Sequence, residues 1–234
     1  MRPEFPFIAM AISFGLAAIL FFYTTEPKVD TIHVSLRNYL MQLITGIKTL
    51  INHRLANYIG PIIALSCIIK LYQGVVRQSI GQDFGFTGET FGYLLALVTV
   101  PAAYLTYRFD VVRRRAGNKL LLLIILAMFT AAFFSPLILK NLWVGGVVFL
   151  LITTAEKLSQ PLISTLVNER IDSKHRATTL STLSLISQIP YIVLVLFFAQ
   201  LTEPGSINVL YLLYTGYMGV TLVYCFASVK AKQS

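Results

Sequence analysis

Three ionisable side chains lie within apolar stretches that are long enough to cross a membrane. Glu156 and Lys157 lie in the stretch 142–167, and Lys70 lies near the middle of the stretch 61–80. A charged side chain in hydrocarbon costs at least about 2.5 to 3.5 kcal/mol, so such residues normally face protein or water and mark a path for ions or solutes. We therefore expect all three to lie on a functional pathway.

Polar side chains accompany these charges at helical spacing. Intervals of three and four residues place the members of each group on one face of a helix. The three stripes are Ser66, Lys70, Gln73 and Arg77 in the stretch 61–80, Thr153, Glu156, Gln160 and Ser164 in the stretch 142–167, and Ser181, Ser184, Gln188 and Tyr191 in a third stretch, 178–201. Together the stripes can enclose one hydrated route.

Two other interpretations of the charges remain open. Lys70 and Arg77 can extend along their aliphatic stems to a membrane interface. Glu156 and Lys157 can balance each other and only hold helices together. Because neighbours on a helix are rotated by about 100°, we expect at least one of that pair to find its partner on another helix.

The composition of the chain indicates an integral membrane protein. Of its 234 residues, 56% are hydrophobic and only 12% are charged, and the mean hydropathy is +0.72. A helix needs roughly 20 apolar residues to span a bilayer. The candidate spans are 5–23, 61–80, 90–107, 120–139, 142–167, 178–201 and 209–226. The sequence therefore predicts an all-α integral membrane protein with seven transmembrane helices.

The order of these spans predicts four regions. A first transmembrane helix occupies 1–25, a cytoplasmic linker 26–60, a six-helix bundle 61–229 and a cytoplasmic tail 230–234. Apolar residues recur every three or four positions within the linker, which predicts an amphipathic helix that lies on the inner membrane surface or packs on the ends of the spans. The uncharged span 120–139 is expected to face lipid.

The distribution of the net charge of +9 indicates a membrane rather than a nucleic-acid partner. Lysines and arginines cluster at alternate ends of the spans, and with the N-terminus outside only Arg2 and Lys140 fall on outer segments. Positively charged loops normally face the cytoplasm. We therefore expect a multi-pass protein of the plasma (cytoplasmic) membrane, surrounded by lipid, with an outer N-terminus and a cytoplasmic C-terminus.

Neither an enzyme nor a cofactor-binding protein is predicted. No segment gathers Ser, His and Asp, a set of metal ligands or a nucleotide-binding glycine loop. Cys67 and Cys225 lie in apolar stretches, where packing is the simplest role. Transport is the function class that intramembrane charges favour. A seven-helix membrane receptor and a non-transporting membrane subunit are the alternatives.

Several segments resemble transporters of the major facilitator superfamily. NERIDSKHRATTLSTLS (168–184) is similar to the link between the tenth and eleventh helices of that family, with Arg176 beginning its Arg-Ala-Thr element. FPF (5–7) and FFYTTEP (21–27) resemble the boundaries of the sixth helix, which precedes a long central loop in the family.

A second loop carries a weaker form of the same resemblance. YRFDVVRRRAGNK (107–119) is similar to the basic loop between helices eight and nine of the superfamily. Asp110 and the arginines at 113–115 are retained, whereas the loop glycine is displaced to Gly117. The acidic, Arg and Gly order of the family is therefore degraded.

The resemblance implies that the seven spans correspond to helices six to twelve, the last six forming a major-facilitator-type C-terminal bundle. Helices one to five of the family are absent, so the chain would be part of a longer transporter, the product of a truncated reading frame or a subunit that needs a partner carrying the N-terminal half. The spans 61–80, 142–167 and 178–201 would be helices seven, ten and eleven, which border the central cavity of the family.

The resemblance also implies a function and roles for the polar residues. The function would be secondary active transport of a small-molecule substrate by alternating access, with protons as the candidate coupling ion. Glu156 would be the proton-titratable or cation-binding carboxylate. The other assignments are Lys157, Lys70 and Arg77 as charge partners or anion contacts; Ser66, Gln73, Thr153, Gln160, Gln188 and Tyr191 in the substrate cavity; and Asp110, Arg113, Arg114 and Arg176 in the cytoplasmic gating loops.

Overall fold

The computed structural model describes the residues 5–23, 41, 44, 46–47, 56–169, 173–198 and 206–230. All regular structure among these residues is helical, which confirms the predicted all-α fold class. The chain divides into two compact units, Met1–Tyr39 and Leu40–Ser234. The division falls inside the predicted linker, 26–60.

The first unit contains helix α1, Phe5–Phe22. Its residues are almost all apolar, as expected for a segment that avoids water. Helix α1 is 18 residues long, and within the described residues only its part Met10–Phe22 is found as an apolar helix, which is shorter than the roughly 20 residues that a bilayer crossing requires. A transmembrane helix in the region 1–25 is therefore not confirmed.

The described part of the second unit contains helices α2 to α8. Their bounds are Ala56–Leu71 for α2, Arg77–Asp83 for α3, Gly88–Tyr107 for α4, Phe109–Phe134 for α5, Leu142–Asn168 for α6, Ser173–Phe198 for α7 and Ile207–Lys230 for α8. A turn of π-helix, Tyr72–Val76, joins α2 to α3, and a turn of 3-10 helix, Ser135–Leu137, extends α5.

The lengths and composition of these helices are those of a multi-pass integral membrane protein. Helices α4 to α8 are each long and apolar enough to cross a bilayer. The pair α2 and α3 makes a sixth crossing if it spans as one broken helix. Six crossings match the predicted six-helix bundle in number, whereas the predicted total of seven is not reached among the described residues.

The α2–α3 segment is bent by 64° where its two helices meet. The bend lies at the π-turn, where the hydrogen bonds of the α-helix are replaced by longer-range ones. Gly74 lies in this turn, and a Cβ atom added there would lie 3.2 Å from the hydroxyl of Tyr191 on α7. The missing side chain thus lets α7 approach the bend closely.

Gly117 interrupts α5 in a different way. Its φ of +77° is outside the helical region and is one that glycine adopts at little cost. The residues before it, 109–116, form a short helical arm, and the residues after it form the membrane-crossing part of α5. The charged segment 107–119 is therefore a helical arm with a glycine break rather than an irregular loop.

Helix α5 lies at the centre of the bundle, packed against α6 and α8, while α4 packs on α6 and α2 packs on α7 and α8. Leu126, Phe129 and Phe133 of α5 are fully buried. The expectation that the span 120–139 faces lipid is wrong for this side of the helix. Lipid tails and protein interiors are equally apolar, so hydropathy does not distinguish the two surroundings.

Only a few positions of the predicted linker helix are described. Residues 41, 44, 46 and 47 are helical, and Gly46 is buried against α7, because a Cβ atom there would collide with the side chain of Thr182. This contact favours the interpretation that the segment packs on the spans. Residues 56–60 of the predicted linker belong to α2, which begins at Ala56, and the remaining linker residues lie outside the described part.

Gly145 near the start of α6 provides a test of this packing. A Cβ atom at that position would lie 2.7 Å from the ring of Phe86 and 2.9 Å from Phe84. We expect Gly145→Ala to force these rings apart and to destabilise the chain by roughly 1–3 kcal/mol, as overpacking does elsewhere. Thermal unfolding of the detergent-solubilised protein measures the effect.

The neighbouring glycine is the matched control. A Cβ atom at Gly146 would meet Leu94 at 3.9 Å, an ordinary contact distance. Gly146→Ala should therefore leave the unfolding midpoint unchanged or raise it slightly. Equal midpoints for the two variants would contradict the packing described here.

Candidate functional site

The bend between α2 and α3 separates polar residues that the sequence places on one helical face. Lys70 lies in the last turn of α2, Gln73 lies in the π-turn and Arg77 is the first residue of α3. Lys70 contacts α7, whereas Gln73 contacts α6. The expected single stripe is thus divided between two neighbouring helices.

The first of these contacts gives the ammonium group of Lys70 a hydrogen-bond partner on α7. Its Nζ atom donates a hydrogen bond of 2.9 Å to the Oγ atom of Ser187. The hydroxyl of Ser187 in turn donates to the backbone oxygen of Ser184 at 2.8 Å. Ser187 is buried and lies well inside α7, so Lys70 binds within the bundle instead of extending to an interface.

The second contact holds Glu156. The Nε2 atom of Gln73 donates to its Oε1 atom at 2.8 Å. The two residues are 83 positions apart in the chain and belong to different helical segments. Glu156 thus has the partner on another helix that its position beside Lys157 led us to expect.

A cavity of about 370 Å³ adjoins this contact. Its walls come from the π-turn, α3, α4 and α6. The lining residues are Tyr72, Arg77, Leu95, Ala96, Thr99, Thr153, Glu156 and Lys157. Two cations and one carboxylate give this lining a formal charge of +1.

The charges in the cavity do not neutralise one another by direct pairing. Within the described part of the chain, the ion pairs are Arg113 with Glu169 and Lys140 with Asp83. Arg77, Glu156 and Lys157 take part in neither pair. The interpretation of Glu156 and Lys157 as an internal ion pair is therefore wrong, which agrees with the rotation between adjacent helical side chains.

Tyr72 is a member of the cavity wall that the polar stripes did not predict. Its side chain is only 1% exposed, and its hydroxyl has no hydrogen-bond partner among the described atoms. The residue lines the cavity together with Arg77 and Glu156. In the sequence, the position of Tyr72 immediately before Gln73 could have indicated a place in the cavity wall, but a tyrosine in an apolar stretch is usually a packing residue.

Four predicted cavity residues lie elsewhere. Ser66, Gln188 and Tyr191 are half-buried and Gln160 is exposed, and none of them lines the 370 Å³ cavity. Among the described contacts the stripes therefore meet at two separate places, Lys70 with Ser187 and Gln73 with Glu156, instead of enclosing one route. Ser187, which receives Lys70, was missed although it continues the spacing of Ser184.

A polar cluster closes the end of α6 that carries Glu169, here named the Glu169 end. Arg113 forms an ion pair with Glu169. Asn118 accepts a hydrogen bond of 2.7 Å from Nε of Arg113 and donates one of 2.8 Å to Glu169. This cluster joins the helical arm of α5 to α6, on the side that the charge distribution predicts to be cytoplasmic.

The residues predicted for the gating loops are only partly in that cluster. Arg113 belongs to it, whereas Asp110 and Arg114 are exposed side chains of the helical arm outside it. The side chain of Arg176 lies outside the described residues. Asn118 and Glu169 were not among the predicted site residues, although both lie in the charged segments that flank α5 and α6.

A second polar cluster lies at the opposite end of α6, here named the Lys140 end. Lys140 forms an ion pair of 2.8 Å with Asp83 and donates to Asn208 at 2.7 Å. The hydroxyl of Tyr211 donates to Asp83 at 2.9 Å. These contacts tie the ends of α3 and α8 to the turn before α6.

Comparison with protein-family models, with curated proteins and with solved structures finds no match to this chain. Its function must therefore be argued from the geometry of its own residues.

The Lys70–Ser187 contact leads to a test of how the polar groups stabilise the bundle. Ser187→Ala removes the acceptor of a cationic donor in an apolar setting, and an unsatisfied group of this kind costs about 1–3 kcal/mol. We expect a matching loss in the free energy of unfolding, measured by denaturant titration in mixed micelles.

Ser184→Ala is the matched control for that substitution. The side chain of Ser184 is exposed, and only its backbone oxygen takes part in the contact. Its replacement should change the free energy of unfolding by far less. A Ser187→Ala protein as stable as the wild type would show that Lys70 does not depend on this hydroxyl.

Proposed function

We propose that this chain forms part of a secondary transporter of the major facilitator type, which moves a small solute across the membrane by alternating access. The six crossings formed by α2 to α8 would be its C-terminal bundle, and a partner bundle would supply the other wall of the pathway. The observation that carries the proposal is the Gln73–Glu156 contact beside a charged cavity in an otherwise apolar bundle.

The depth of Glu156 supports this proposal. From the rise of 1.5 Å per residue, its Cα lies about 21 Å from the start of α6 and about 18 Å from its end. The carboxylate is therefore near the middle of the crossing. Ionisable residues at that depth are expensive in lipid and generally serve ion or substrate pathways.

The broken helix is the second support. Secondary transporters commonly build their midplane sites from discontinuous helices, whose interruption exposes polar backbone groups and allows one part to move against another. Here the π-turn and the 64° bend lie directly beside the cavity. A change in the bend would move Arg77 and Gln73 relative to Glu156.

Glu156 is suited to couple proton binding to such a change. As a carboxylate it accepts from Gln73, and it shares the cavity lining with Arg77, Lys157 and the hydroxyl of Tyr72, the charged or titratable groups around it. The described α4 lining adds Leu95, Ala96 and Thr99, none of which titrates. Protonation would remove the negative charge that faces Arg77 and Lys157, while the neutral carboxyl group could still accept from Gln73.

The clusters at the two ends of α6 would act as gates. Exposed ion pairs contribute only roughly 0.2–1 kcal/mol each, so the Arg113–Glu169 and Lys140–Asp83 pairs can open and close without a large barrier. In the orientation that the charge distribution predicts, the Glu169 end faces the cytoplasm. The same orientation in the plasma membrane is part of the proposal.

Thiol labelling at Thr99 tests alternating access without knowledge of the solute. Thr99 lines the cavity, and the native Cys67 and Cys225 are buried, which keeps background labelling low. In sealed membrane vesicles of both orientations, we expect Thr99→Cys to react with a charged, membrane-impermeant thiol reagent from either side. The ratio of the labelling rates from the two sides should change between acidic and neutral buffer. In the Glu156→Gln variant this ratio should keep its acidic value at every pH.

Two matched variants are the controls for this experiment. Val100→Cys, one residue further along α4, lines an apolar groove instead, so it should react only with a membrane-permeant reagent. Glu89→Gln, which neutralises an exposed carboxylate at the start of α4, should leave the pH dependence intact. Access to position 99 from one side only, at every pH, would contradict alternating access.

A further inference from the structure

We infer that the cavity binds a small anion, whose acidic group lies between Arg77 and Lys157 and accepts a hydrogen bond from the hydroxyl of Tyr72. This inference names the substrate class of the proposed transporter, and so it rests on that function for its physiological meaning. The binding itself depends only on the described residues of α3, α4, α6 and the π-turn.

The charge of the lining is the first argument. Arg77 and Lys157 form no ion pair within the described part of the chain, and both line the cavity. With Glu156 included, the lining retains one uncompensated positive charge. An occupant with at least one negative charge would neutralise it, and guanidinium and ammonium groups are the usual ligands of carboxylates and phosphates.

The partner of Glu156 argues against a cation as the occupant. One oxygen of this carboxylate already accepts from Gln73. A cationic solute would share the cavity with Arg77 and Lys157, whose like charges oppose its binding. The geometry favours the two cations, rather than Glu156, as the ligands of the occupant.

Tyr72 provides the second, independent argument. A buried hydroxyl is nearly always hydrogen-bonded in folded proteins, yet this one has no partner among the described atoms and belongs to the cavity wall. An anion bound between the two cations would supply the missing acceptor. Thr99 and Thr153 line the same cavity, and the hydroxyl of Thr99 donates to the backbone oxygen of Leu95 at 2.6 Å.

The size of the cavity restricts the anion further. Its volume of about 370 Å³ is near the lower end of ligand pockets, which range from roughly 300 to 1,000 Å³. The occupant is therefore a small carboxylate or phosphate compound and not a lipid or a large conjugate.

Thermal unfolding of the full chain in neutral phosphatidylcholine nanodiscs tests the inference. The probes are sodium succinate, sodium phosphate and choline chloride, at equal ionic strength against sodium chloride. We expect succinate or phosphate to raise the unfolding midpoint and choline to leave it unchanged. Succinate alone would identify an organic acid, and phosphate alone a phosphate compound.

Substitutions then assign the effect to the cavity. Arg77→Gln and Lys157→Gln should each weaken anion binding by about tenfold or more, because each removes a charge-assisted hydrogen bond. Arg115→Gln, on the exposed helical arm of α5, should bind as the wild type does. Equal responses in all three variants would show a non-specific salt effect and overturn the inference, as would stabilisation by choline.

Tyr72→Phe should change the unfolding midpoint of the free chain and the anion-induced shift of that midpoint in opposite directions. Loss of the unpartnered hydroxyl should raise the unfolding midpoint of the free chain, while the shift caused by the anion becomes smaller. If the anion raised the midpoint of the Tyr72→Phe variant as much as that of the wild type, Tyr72 would not belong to the site.

The outcome is separable from that of the transport proposal. Anion binding that depends on Arg77 and Lys157, in a protein whose position 99 is accessible from one side only, would support the inference and contradict transport. Accessibility of position 99 from both sides, combined with stabilisation by choline, would support transport and contradict the inference.

Discussion

The structure depends on one constraint: a carboxylate in the middle of an apolar bundle needs polar groups as hydrogen-bond partners. Glu156 accepts a hydrogen bond from Gln73, which lies in the π-turn that joins α2 to α3. Lys70, three residues earlier, contacts α7 instead. The interruption of the helix and the polar site therefore lie at the same place in the bundle.

The rest of the bundle supports that arrangement without sharing its polarity. The buried face of α5 joins α6 to α8 through aromatic and aliphatic contacts, including that of Phe133 with Tyr214 of α8, whose ring centroids lie 4.5 Å apart. The two ends of α6 are held by small polar clusters around Lys140 and Glu169. A rigid apolar centre with weak polar contacts at both ends is compatible with rocking of the bundle, since exposed pairs break at little cost.

The sequence predicted the helical class, the approximate bounds of α4 to α8 and a partner for Glu156 on another helix, because length, hydropathy and isolated charges are local properties. It did not predict that α5 is central, since an apolar helix has no pattern that distinguishes lipid from protein. It also placed Lys70, Gln73 and Arg77 on one face, because 3.6-residue periodicity assumes an unbroken helix. The orphaned hydroxyl of Tyr72 depends on the burial of its surroundings, which no spacing in the chain encodes.

Cross-linking of positions 73 and 156 in the membrane tests the central claim most directly. Gln73 and Glu156 form a side-chain contact of 2.8 Å, whereas Gln160 lies one turn further along α6 and is exposed. With both native cysteines buried, a short bifunctional thiol reagent, whose span replaces that of the two longer side chains, should join Gln73→Cys to Glu156→Cys rapidly. The same reagent should join Gln73→Cys to Gln160→Cys slowly or not at all. Equal rates for the two pairs, or no cross-link between 73 and 156, would contradict the account.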